Sequence, residues 1–129
     1  MDLRIADIRR RVTQRGGATE RDVEEVDDIL EAEGASAELL VLRGQLIQLL
    51  ADDQPDALDE ALACFEEALE LDPRSAEAHE EIGHFLDDVA DEPAEAVPFF
   101  RKAIELGAGP SAEEGLRAVL GQLDREEAQ

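Results

Sequence analysis

The chain has 129 residues and carries 34 Asp and Glu against 12 Lys and Arg, a net charge of −22. That sign excludes direct binding to nucleic acid or to an anionic membrane face, because both need a positive surface that displaces counterions. With 43% apolar residues it is too hydrophobic for a disordered acidic tail, and its length provides for one compact domain.

Other absences narrow the field. Trp and Tyr are missing and only four Phe are present, which leaves little for base stacking or aromatic cages. Cys64 stands alone, so neither an intramolecular disulfide nor a Cys-rich zinc site is available. The longest aliphatic run, residues 39–42, is far short of the roughly 20 residues that span a bilayer. The opening Met1-Asp2-Leu3-Arg4 has no apolar leader behind it, so a soluble cytoplasmic chain is the expectation.

Apolar spacing is helical throughout, and no segment alternates strictly as a half-buried strand does. Met1, Ile5, Ile8 and Val12 fall on one face of a first helix that ends at Gly16-Gly17. Thr19 is placed to cap a second helix with Asp22 three residues on, and Val23, Val26 and Leu30 form its buried stripe up to Gly34. From there a phrase recurs: Ser36-Ala37-Glu38, Ser75-Ala76-Glu77 and Ser111-Ala112-Glu113, each shortly after a Gly or Pro. Each Ser is read as an N-cap, with the Glu favourably placed at the positive end of the helix dipole. Between these starts, Ala61, Phe65 and Ala68 repeat as Ala96, Phe100 and Ala103, and Gly44 and Gly83 stand eight residues after their serines. Small residues beside a Phe allow two helices to approach closely while the ring fills the remaining hole.

This layout resembles the tetratricopeptide repeat family. Gly44, Ala61, Phe65, Ala68 and Pro73 match one repeat; Gly83, Ala96, Phe100 and Ala103 match the next. The interval from Gly44 to Ala61 is about five residues too long for the family, and residues 51–56 are expected to absorb the excess as a longer turn. Leu40 and His79 stand where the first helix of a repeat usually has an aromatic. The resemblance implies an all-α fold, a right-handed superhelix of antiparallel helix pairs with about seven helices. Residues 1–34 would form an atypical N-terminal pair, 35–109 two repeats (35–74 and 75–109), and 110–129 a capping helix with a short tail. Leu116, Val119, Leu120 and Leu123 would cover the end of the stack.

Catalytic and metal-binding patterns fail on spacing. His79 and His84 nearly spell a zinc-protease signature, but residues five apart diverge by about 140° around a helix, against about 40° for the required four. Glu81 and His84 have the spacing of one half of a di-iron site without a second copy. The acidic stretches 52–56 and 87–92 lack the alternating ligands, central Gly and terminal Glu of a calcium loop, and read as solvated turns. No nucleophile elbow, phosphate loop or dinucleotide turn is present. Cys64 reads as a packed thiol beside Phe65. No enzyme activity, cofactor or metal is expected.

The first fifteen residues hold five Arg and two Asp, a basic patch on an acidic chain. Such a helix can dock in cis, pair with a second copy as a homodimer through the N-terminal helices, or act as a partner-binding arm; a plain helix with its Arg side chains in water is the simplest alternative. The repeat resemblance implies a concave face lined by Glu38, Val41, Gln45 and Gln48 from the first repeat. From the second it implies Glu77, Glu80, His84, Asp87 and Asp88. Those carboxylates suit a basic or amphipathic protein segment rather than an acidic peptide terminus. The expected function is a non-enzymatic protein-interaction adaptor. Rival readings are a chaperone-like or immunity-type protein that sequesters a basic client, and an acidic decoy that imitates DNA.

Overall fold

The computed structural model describes residues 2–51 and 54–128. All regular structure among them is helical: α1 (Leu3–Arg15), α2 (Glu20–Glu33), α3 (Ala37–Ala51), α4 (Pro55–Leu71), α5 (Ala76–Asp88), α6 (Pro93–Glu105) and α7 (Pro110–Glu127). They fall into two compact units, residues 1–71 with α1–α4 and residues 72–129 with α5–α7. Met1, Asp52 and Asp53, which enter the readings of the first helix face and of the acidic turn, lie outside the described residues.

In the first unit, Asp2 caps α1 by accepting from the Arg4 backbone N–H at 3.0 Å. Ile5, Ile8 and Val12 are buried one turn apart, and they pack with Val26 of α2 and with Leu39, Leu42 and Leu46 of α3. Full burial of each such side chain contributes about 1.5–3 kcal/mol, so this seam dominates the assembly of α1. Gly16 takes a left-handed φ of 82°, and the Gly17 N–H donates to Val12 O at 3.1 Å, which reverses the chain. Thr19 and Asp22 then form the expected capping box. Ser36 caps α3 through the Leu39 N–H at 3.2 Å.

The Gly–Phe relationship is explicit in both units. A Cβ at Gly44 would stand 2.5 Å from the Phe65 ring, so α3 and α4 approach at a distance only glycine permits. Phe100 is wholly buried between Gly83 of α5 and Gly115 of α7, where Cβ atoms would lie 2.9 and 2.6 Å from its ring. Ala61, Ala68, Ala96 and Ala103, the small residues flanking each Phe, are all 0% exposed.

Three local expectations are corrected. The surplus between Gly44 and Ala61 is carried by longer helices, because α3 runs on to Ala51 and α4 begins at Pro55; α3 and α4 have 15 and 17 residues against 13 each in α5 and α6. Ser75 caps α5, with Ala78 N donating to its hydroxyl at 3.1 Å, but Ser111 does not cap α7. Gly109 is the N-cap there, and Pro110 occupies the first turn where its missing N–H costs nothing. Finally, α7 packs through Ala112, Gly115 and Val119, with Leu116 at the margin, whereas Leu120 is 36% exposed. The Phe100 ring requires the smallest side chains opposite it, which rotates the leucine stripe outward.

Candidate protein-interaction surfaces

On the first unit, Glu38 is exposed at the start of α3, and Gln45 and Gln48 are half-buried. Val41 is only 1% exposed, so it presents no surface to a guest and leaves the expected set. Gln45 and Gln48 line a groove of about 460 Å³ between α1 and α3, with Val12, Leu46 and Leu49 as its apolar part. Arg9 of α1 reaches into this groove and donates to Gln45 Oε1 at 3.2 Å. Leu49, 60% exposed, was not among the expected contacts. Its signal is present in the sequence: residues 39–50 are apolar almost all round the helix, more than one neighbour can cover.

The arginine helix docks in cis. Arg4 pairs with Glu33, Arg11 Nη2 lies 2.6 Å from Glu25 Oε2, and Arg15 Nη1 lies 2.7 Å from Asp22 Oδ2. The partners run in opposite order along α1 and α2, as an antiparallel helix pair requires. Arg4 holds the Glu33 carboxyl below its ordinary pKa, and Arg15, more than the opposing effect of burial, does the same for Asp22.

On the second unit, Glu77, Glu80, His84, Asp87 and Asp88 follow one face of α5; Asp88 is exposed and the others half-buried. Burial pushes the Asp87 carboxyl above its ordinary pKa, and the charges of Asp88 and Asp91 add to this, while His84 opposes it. Asp91 follows in a left-handed φ of 53°.

His84 rests edge-on against Phe100, 4.9 Å between ring centres. Its Nε2 lies 3.3 Å from Ser111 Oγ and 3.4 Å from Glu80 Oε2. A serine, histidine and carboxylate thus meet, but both partners approach the same ring nitrogen. A nucleophilic relay needs them on opposite nitrogens, so the set does not have that geometry. Instead the contact ties α5 to the first turn of α7. His79 is separate, its Nε2 3.0 Å from Pro73 O and its ring 6.0 Å from Phe99, so the two histidines share no ligand position.

Cys64 is buried on α4, and burial raises its thiol pKa despite the hydrogen bond from Arg43. A thiol kept protonated is a poor nucleophile. No helix among the described residues is long and apolar enough to cross a membrane.

Residues 56–86 match the family model described as TPR repeat. The match takes in most of α4 and of α5, and so includes Phe65 and Gly83. No curated protein matches the chain. The all-helical architecture, the two Gly–Phe contacts and this match agree on a chain of helical repeats that carries a TPR repeat over residues 56–86.

Proposed function

We propose that the chain is a non-enzymatic adaptor that captures a basic or amphipathic segment of another protein through the acidic face of α5, formed by Glu77, Glu80, Asp87 and Asp88 with His84 among them. The observation that carries this reading is that these four carboxylates share one face of α5, a helix with no Lys or Arg of its own. Carboxylates gathered on one face gain when a guest supplies a lysine or arginine, because the cation offsets the like charges of their neighbours. The first unit by itself offers a different surface, in which Gln45 and Gln48 lie beside exposed Leu49 and Glu38 stands at the start of the same helix. The cis pairing of Arg4, Arg11 and Arg15 supports a structural role for α1 over that of an arm for a second copy.

The test is affinity capture from native lysate with wild type and with the triple variant Glu80→Lys, Asp87→Lys, Asp88→Lys. Captured proteins that are lost with the variant, and that bind wild type again as purified basic segments, support the reading. Unchanged capture by the variant removes α5 as the recognition surface.

A further inference from the structure

A second surface lies within the first unit, where α2, α3 and α4 leave a groove of about 400 Å³. Val23, Ile47 and Ala57 give it an apolar floor, and Glu20, Glu24 and Glu60 stand around it. Its one lining cation, Arg43, is already committed: Nε lies 2.6 Å from Asp27 Oδ1, Nη2 lies 2.9 Å from Glu60 Oε1, and Nη1 donates to Cys64 Sγ at 3.2 Å. Burial of Arg43, 20% exposed, is thereby compensated by the chain's own carboxylates. Glu20 and Glu24 have no such partner among the described residues. They stand one helical turn apart, roughly 6 Å, on the same side of α2.

We propose that this groove binds an amphipathic basic helix of a partner protein. An apolar side chain of the guest enters over Val23, Ile47 and Ala57, while lysines or arginines one turn apart reach Glu20 and Glu24. The occupant follows from charge complementarity: the apolar floor calls for a hydrophobic anchor, and the rim accepts cations because its only resident cation is spent. This surface belongs to α2–α4 and does not depend on the α5 reading above.

The test uses a fluorescein-labelled synthetic helical peptide of Leu, Lys and Ala, titrated by anisotropy at physiological salt. Glu24→Lys has Glu20 and Asp28 as favourable neighbours four residues away on either side, so the helix tolerates it. Ala57→Phe fills the floor with no change of charge. Glu113→Lys, exposed on α7, makes the same charge change away from the groove. We expect Glu24→Lys and Ala57→Phe to weaken binding by about tenfold or more, and Glu113→Lys by less than about twofold. Equal losses for Glu24→Lys and Glu113→Lys would reduce the effect to net charge and overturn the proposal, as would wild-type binding by Ala57→Phe. If Ala57→Phe misfolds, amide shifts of the wild-type protein decide: changes on peptide addition must centre on Val23, Ile47 and Ala57, and their absence overturns the site. The triple variant of α5 retains this binding, which separates the two readings.

Discussion

Arg15 and Asp22 face each other across the Gly16-Gly17 turn, with Nη1 2.7 Å from Oδ2, and Asp22 is the one charged residue fully buried among those described. The same carboxylate accepts from the Thr19 backbone N–H at 2.8 Å, so one side chain closes the helix cap and the helix pair together. Removing its charge weakens the ion pair with the exposed Arg15 and the cap on the Thr19 N–H at once. Asp22→Asn is expected to destabilise the chain by about 1–3 kcal/mol, read from the midpoint of a urea transition at pH 7.

The pH dependence of this contact has a definite sign. Arg15 lowers the folded-state pKa of Asp22 beneath its ordinary value of 3.8. Its stabilisation is therefore present above the unfolded pKa and is lost as pH falls through the folded one. Acid titration followed by circular dichroism should show wild type losing more stability below about pH 4 than Asp22→Asn does. Parallel curves would separate Asp22 from acid unfolding.

Asp87 has the opposite sign. Burial raises its folded-state pKa, so its contribution is most favourable below the unfolded value of 3.8 and is lost as pH rises through the folded one. Asp87→Asn should then raise the melting temperature at pH 7 and make no difference near pH 3. The same group predicts that a basic guest on α5 binds more tightly as pH rises through the carboxylate range, and that Asp87→Asn flattens this dependence.

Glycines within one helix should divide by what stands opposite them. Gly115→Ala drives a Cβ into the Phe100 ring at 2.6 Å, an overpacking expected to cost about 1–3 kcal/mol. Gly121→Ala meets only the end of Arg125 at 3.6 Å, and the gain in helix propensity should stabilise by up to about 1 kcal/mol. Thermal melts of the two variants check the contrast, and equal effects would contradict the packing of α7.

Asp91 pays a conformational cost that glycine avoids. At φ 53° it occupies left-handed space, where an L-residue is disfavoured by roughly 1–2 kcal/mol, less for Asp than for most. After the larger entropy cost of ordering glycine, Asp91→Gly should stabilise by at most about 1 kcal/mol in a urea titration at pH 7.

Helical periodicity and cap chemistry are local properties, so the sequence alone reached most of the helices, the Thr19–Asp22 box and the paired Gly–Phe rows. In each of these the partners are near in sequence or repeat in phase. The acidic residues of α5 were equally legible, because helical spacing places them on one face whatever the neighbours do. Tertiary structure decided the rest. Val41 is a groove position by the repeat resemblance but is buried, since α3 is covered on more sides than an amphipathic pattern implies. Ser111 reads as a cap but turns to His84, 27 residues away, once Pro110 has started α7. The arginines of α1 were open to water, a second copy or the chain itself, and only the antiparallel approach of α2 sets Glu33, Glu25 and Asp22 opposite them. Local backbone and dipole preferences are written residue by residue, whereas burial and charge pairing depend on which distant surface arrives, and that is a property of the packed chain.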